Sequence, residues 1–257
     1  MLLAVDVGNT QTVVGLFDGD RLIHSFRAMT VRTRTADELA FQLGGLLGLR
    51  GLSLADVDAL SVCSVVPALA GEYRGLGERY LSRPALILGP GVKTGMPIRI
   101  DNPLEVGPDR IAAAVRAMER HGAPVITVDF GTATNFDVVG PDGDYLGGVL
   151  APGIEISMEA LSQRAARLLR IELIEPPQVI GRSTVQALQS GAIYGFAGQV
   201  EGIVRRLHAE PGLAQAPVVA TGGLAEFIAP HTRESITHVE PDLVLQGLRL
   251  LWQRNRA

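Results

Sequence analysis

The sequence holds one cysteine, Cys63, in 257 residues, which excludes an internal disulfide and a cysteine-cluster metal site. Cys63 stands inside the apolar run Leu60-Ser61-Val62-Cys63-Ser64-Val65-Val66, so a buried, inert thiol is expected. Basic runs are missing and the net charge is −4, which argues against nucleic acid as the main partner. No apolar run reaches about 18 residues, and the first residues carry neither a basic lead nor a cleavage site. No membrane partner and a cytoplasmic location are therefore expected. The five histidines, His24, His121, His208, His231 and His238, show no paired helical spacing, and none is assigned to a metal. A Gly-x-Ser-x-Gly nucleophile elbow is absent, as is a dinucleotide-binding glycine fingerprint. The stretch Gly89-Pro90-Gly91-Val92-Lys93-Thr94-Gly95 invites a phosphate-loop reading, but Val92 stands where the glycine before the lysine belongs. It is read as a connecting loop. What remains is 47% apolar and 19% charged, the balance of a soluble globular enzyme with one large domain or two compact ones.

The opening stretch is the richest. An apolar run ends on Asp6, the polar turn Gly8-Asn9-Thr10-Gln11 follows, and a β-branched run from Thr12 and Val13 leaves it. That is a hairpin pattern. Gly8 can take positive φ or let a ligand approach the backbone. Such a turn can cradle a polyphosphate through N–H and hydroxyl donors while Asp6 faces a cation through water. It can equally be a plain turn in which Asp6 and Asn9 shape the backbone. A second copy weighs for the first reading. Val125-Ile126-Thr127-Val128-Asp129-Phe130-Gly131-Thr132-Ala133 repeats the plan, and Asp142-Gly143-Asp144 follows it much as Asp18-Gly19-Asp20 follows the first. The repeat suggests two halves with one three-strand beginning.

In the first half, Thr35 to Glu38 reads as a capping box, opening a helix with Leu39, Leu43, Leu46 and Leu47 on one face. Strands follow near residues 57–65 and 85–88, with a short helix from Pro67 between them. Gly107 and Pro108 then begin a helix that Gly122 ends, with Ile111, Val115 and Met118 as its buried stripe. Asp109 falls in its first turn, where an ionised carboxylate is favoured. That acid either serves chemistry or merely stabilises the helix. In the second half, Gly147 to Gly153 reads as a tight loop after the third strand, and Ile154 to Leu169 as helical. The long helix after Thr184 is apolar over more than one face, as a central buried helix or a subunit interface would be. Thr221-Gly222-Gly223 is a turn against which a base or ribose could lie, unless turn chemistry alone explains it. A last helix from Asp242 buries Val244, Leu248, Leu251 and Trp252.

Taken together, Asp6-Val7-Gly8-Asn9-Thr10, Asn102-Pro103 with Gly107-Pro108-Asp109-Arg110, Asp129-Phe130-Gly131-Thr132-Ala133, Gly147-Gly148 with Pro152-Gly153, and Thr221-Gly222-Gly223 resemble the type III pantothenate kinases over essentially the whole chain. The resemblance implies an α/β fold of the acetate kinase, sugar kinase, Hsp70 and actin superfamily. Its duplicated ribonuclease H-like domains, residues 1–106 and 107–257, have mixed five-stranded sheets flanked by helices and ATP in the interdomain cleft. It implies transfer of the ATP γ-phosphoryl group to pantothenate, the first step of coenzyme A biosynthesis. Asp6, Val7, Gly8, Asn9, Thr10, Gln11, Thr12 and Val13 would hold the phosphates, with Asp6 facing Mg²⁺ through water, and Thr132 would contact ATP. Asp129 would bind a monovalent cation, K⁺ or NH₄⁺. Gly107, Pro108, Asp109 and Arg110 would line the pantothenate site, with Asp109 as the base. Thr184 would touch pantothenate from the neighbouring subunit of a homodimer. Ile100 is a departure, since some relatives carry a tyrosine there near the substrate. Rival readings are a kinase of the same fold acting on a sugar or short acid, and a non-catalytic nucleotide-binding regulator.

Overall fold

Apolar runs broken by short polar turns dictate two three-strand meanders, and the helices between them carry one apolar face each. In the computed structural model, which describes residues 1–164 and 171–256, the first meander is β1 (Leu2–Val7), β2 (Gln11–Asp18) and β3 (Arg21–Met29). Then come α1 (Ala36–Gly48), β4 (Ala59–Ser64), α2 (Pro67–Tyr80) and β5 (Leu86–Ile87). The first sheet has the order β3-β2-β1-β4-β5, with β4 and β5 parallel to β1. After α3 (Pro108–His121) the second meander is β6 (Val125–Phe130), β7 (Ala133–Val139) and β8 (Tyr145–Pro152). It is followed by α4 (Ile154–Arg164), α5 (Thr184–His208), β9 (Val218–Thr221), α6 (Ala225–Ile228), β10 (His238–Val239) and α7 (Leu243–Asn255). Read from its last meander strand, the second sheet runs β8-β7-β6-β9-β10, strand for strand the order and direction of the first. The repeat seen in the sequence is therefore a repeat of topology, the duplicated ribonuclease H-like arrangement. The tail of the helix expected over Ile154–Leu169, with Leu168 and Leu169, lies outside the described residues.

Contacts divide the chain into two units: Met1–Pro97, Asp101–Arg116 and Leu243–Ala257 form one, Ile98–Ile100 and Ala117–Asp242 the other. This grouping differs from a cut at residue 106. The start of α3 and the whole of α7 belong with the first sheet, because α7 packs on its strands. The Ser61 hydroxyl donates to the Leu248 carbonyl at 3.1 Å, and a Cβ on Gly247 would sit 2.0 Å from the Ala112 carbonyl oxygen. Only glycine permits that α3–α7 approach.

In the first unit, Leu3, Val5 and Val7 of β1 face α1 and α2 in one buried cluster with Leu39, Leu43, Leu76 and Tyr73. Alternation along the strand puts Ala4 and Asp6 on the opposite face. The capping box is formed: the Thr35 amide donates to Glu38 Oε2 at 2.9 Å and the Glu38 amide to Thr35 Oγ1 at 3.4 Å. Such a cap is worth about 0.5–2 kcal/mol and fixes where α1 begins. The stripe expected on α3 is modified, since alanines 112, 113, 114 and 117 are buried with Val115 while Ile111 and Met118 are half-buried.

In the second unit, Ile126, Val128, Phe130, Phe136 and Val138 pack against Ile154, Val200, Val204, Ala225 and Ile228. Phe196, Ile203 and Leu207 pack on the same cluster, so the broad apolar surface of α5 is largely that of a central helix. The loop expected at Gly147-Gly148 is instead part of β8. A Cβ on Gly148 would lie 1.8 Å from the Phe136 carbonyl oxygen, so the glycine serves close strand pairing.

Candidate active site

The first unit builds a site around the end of β1. The Gly8 amide donates to the Gln11 carbonyl at 3.0 Å, closing a tight turn with Asn9 and Thr10 exposed at its tip. A Cβ on Gly8 would come within 2.8 Å of that carbonyl, so the turn needs glycine there. The turn is braced from β3: the Thr30 amide donates to the Thr10 carbonyl, and the Thr12 and Thr30 hydroxyls meet at 2.9 Å. Thr12 is buried and its hydroxyl ties the strands together, while Val7 turns its side chain into the core. The groups open to an anion are thus the turn's backbone and the side chains of Asn9, Thr10 and Gln11.

Asp6 stands just before this turn, partly buried, on the face away from the main core. Desolvation by its surroundings pushes its carboxyl up to about 7, the negative charge of Asp109 adds to the rise, and a hydrogen bond from Cys63 opposes it. Sequence spacing of about a hundred residues concealed that neighbourhood. Asp109 is the second residue of α3. The Arg110 amide donates to Asp109 Oδ1 at 2.9 Å, and a Cβ on Gly107 would sit 2.4 Å from that oxygen. Gly107 therefore clears space for the carboxylate, and the helix start orients it. Two carboxylates that sense one another's charge, one with its ionised form disfavoured, fit a hard cation bound through oxygen and water. Among the described residues no group of three or more His, Cys, Asp and Glu side chains could hold a metal by itself.

Two residues here escaped sequence reasoning. Arg32 Nη2 donates to Asn9 Oδ1 at 3.2 Å, bringing a guanidinium to the turn. Its only signal was a basic residue just ahead of the capping box. Cys63 is buried, as expected, but not without contacts: Sγ lies 3.2 Å from Asp6 Oδ1. Burial and the negative charges of Asp6 and Asp109 hold its thiol well above the usual range, so the sulfur keeps its proton.

The second unit repeats the placement. Asp129 occupies in β6 the position Asp6 has in β1, again opposite the main core cluster. Its cross-strand partners are Asn135 on β7 and Thr221 on β9. A Cβ on Gly222, at φ +92°, would lie 2.3 Å from Asp129 Oδ1, so the Thr221-Gly222 turn makes room for this carboxylate. Asn135 Oδ1 is buried without a hydrogen-bond partner. An orphaned carbonyl oxygen beside a carboxylate is a donor set that a monovalent cation satisfies. Thr132 is exposed on the turn between β6 and β7, whose carbonyl accepts from the Gly153 amide at 3.1 Å. Thr184 is exposed as the first residue of α5, with Ser183 capping through the Gln186 amide at 3.2 Å.

The sequence profile of the type III pantothenate kinases matches residues 2–206. A relative from Streptomyces griseus named type III pantothenate kinase is 52% identical, with 99% of this chain and 98% of that protein covered. One of the same name from Myxococcus xanthus is 51% identical over the full length of both. The chain belongs to the type III pantothenate kinase family. A solved structure from Campylobacter jejuni, described as a candidate Baf family transcriptional activator, superposes with a TM-score of 0.59 at 18% identity, covering 99% of this chain and 98% of that one. That likeness speaks for the fold alone. Within the family's pattern, Asp6, the turn after it, and residues 107–110 all lie in the first unit, whereas Asp129, Thr132 and Thr184 lie in the second. Ile100 is half-buried and packs toward Gly147. No helix among the described residues is long and apolar enough to cross a membrane.

Proposed function

We propose that this member of the type III pantothenate kinase family phosphorylates the primary hydroxyl of pantothenate with ATP, the first step of coenzyme A biosynthesis. The observation that carries the reading is that Asp6, at a turn open to phosphate, lies within the electrostatic reach of Asp109 at a helix start. Phosphoryl transfer asks for positioning and charge neutralisation more than covalent chemistry. Of residues 6–13, the turn's backbone and the side chains of Asn9, Thr10 and Gln11 hold the phosphates, and Asp6 would bind Mg²⁺ through water. Asp109 accepts the hydroxyl proton as the pantothenate oxygen bonds to the γ-phosphorus and the bond to ADP breaks. Arg110 steadies substrate oxygens, and Gly107 and Pro108 line the substrate site. Thr132 contacts ATP, and Asp129 binds K⁺ or NH₄⁺. ADP release measured with K⁺ present should require both pantothenate and Mg²⁺. Turnover that ignores pantothenate but rises with a sugar or short acid would overturn the reading.

We further propose a homodimer in which Thr184 reaches the neighbouring subunit's pantothenate. Large apolar side chains stand exposed close before Thr184, with Val179 at 67% and Ile180 at 79%. This segment is pinned to α5 by the Ser190 hydroxyl, which donates to the Val179 carbonyl at 2.6 Å. Fixed, exposed apolar side chains mark interaction surfaces. The protein should sediment as a dimer at micromolar concentration, and Thr184→Val should raise KM for pantothenate more than KM for ATP. A fully active monomer would refute the shared site.

A further inference from the structure

We propose that Cys63 is a positioning residue, its thiol fixing one oxygen of the Asp6 carboxylate so that the other is held for the cation and triphosphate. The inference rests on the reading of the Asp6 turn as the phosphate site and deepens it. Its first support is the 3.2 Å approach of Sγ to Asp6 Oδ1, within reach of an S–H···O bond. The contact is also set by the sheet, because the parallel register places Asp6 directly beside Cys63. Strands hold a geometry more closely than loops do. Cys63 is 0% exposed, so no water competes for its proton. The thiol carries a single proton, and the bond it makes is to Asp6. A thiol is a weak donor, yet bonds to charged acceptors are the stronger kind. A carboxylate otherwise free to turn about its last torsion is thereby held in one orientation.

Serine and alanine separate this role from mere packing, since both fit the space and only serine keeps a donor. In Cys63→Ala, the Mg²⁺ concentration for half-maximal pantothenate-dependent rate should rise about tenfold, the size expected for loss of a hydrogen bond to a charged group. KM for pantothenate should stay put, and Cys63→Ser should return the Mg²⁺ requirement to within a few-fold of wild type. Binding of Mn²⁺ with a non-hydrolysable ATP analogue, followed by electron paramagnetic resonance, should weaken in Cys63→Ala by the same factor and recover in Cys63→Ser. Infrared spectroscopy adds a readout that needs no catalysis. Cys63 is the chain's one cysteine, so its S–H band is unique. Recorded at pH 9, where the Asp6 carboxyl raised to about 7 is ionised, that band should move to higher frequency in Asp6→Asn, where a neutral amide replaces the charged acceptor. If wild type showed no pantothenate-dependent turnover, the functional reading would fall, while the Mn²⁺ titration and the S–H band would still decide the contact. Equal Mn²⁺ affinity in wild type and Cys63→Ala, a serine variant no better than alanine, or an S–H band unmoved in Asp6→Asn would each overturn the proposal.

Discussion

Asp109→Asn is expected to lower kcat by about 10²–10⁴, the range for loss of a general base. The variant should leave ATP binding nearly unchanged. Asparagine retains an Oδ1 to accept the Arg110 amide, as Asp109 does at 2.9 Å, so the start of α3 keeps that bond. The fate of stability separates the catalytic role from a helix-stabilising one. An acid that only serves the helix dipole contributes about 0.3–1 kcal/mol, and its removal would lower Tm with kcat within a few-fold of wild type. Asp109 has a second electrostatic neighbour, however. Its charge helps raise the Asp6 carboxyl from 3.8 to about 7. A carboxyl whose folded pKa is raised binds its proton more tightly folded than unfolded, so stability falls as pH rises between those two values. Removing the Asp109 charge lowers the Asp6 pKa and shrinks that fall. In chelator at pH 8, the Asn variant should therefore melt no lower than wild type while its kcat collapses. A variant of near-normal kcat and lowered Tm would remove Asp109 from the mechanism.

Local patterns in the sequence carried most of the architecture. The two hairpins, the Thr35–Glu38 box and the α3 start at Pro108 each depend on residues within a few positions of one another, and each formed where expected. What stayed hidden was set by register across long separations. Cys63 touches Asp6 because β4 lies parallel to β1 with those residues opposed, and nothing near Cys63 announces it. Gly147 and Gly148 suggested a loop because glycine marks turns, whereas here its missing side chain admits the Phe136 carbonyl. The alanine face of α3 was passed over because small residues give a weak apolar signal, although it is what lets Gly247 come so close. Gly222 was read as open to a ligand, and its geometry serves the Asp129 carboxylate as well. The repeated aspartate was legible; the Asn135 oxygen beside it required the pairing of β6 with β7.

Activity should rise by about 10²-fold when Na⁺ is exchanged for K⁺ or NH₄⁺ at fixed ionic strength, comparable to the effect of one well-placed group on a developing charge. The chain offers no ammonium of its own for that role in the second unit. Its one lysine, Lys93, is in the first unit, in the loop after β5, where Asn255 holds both its amide and its carbonyl. Asp129 and the orphaned Asn135 oxygen supply one full and one partial negative charge side by side, and a monovalent ion neutralises them without the coordination demands of Mg²⁺. Asp129→Ala should lose most activity and, with it, the difference between the salts. Asn135→Ala should act more gently, raising the K⁺ concentration for half-maximal rate while leaving the maximal rate within a few-fold. A loss of fold would instead depress the rate equally at every K⁺ concentration, so titrating K⁺ against each variant distinguishes the two causes. Equal wild-type rates in Na⁺, K⁺ and NH₄⁺ would count against a cation at Asp129, and would leave the Asn135 oxygen as a buried polar atom needing another explanation.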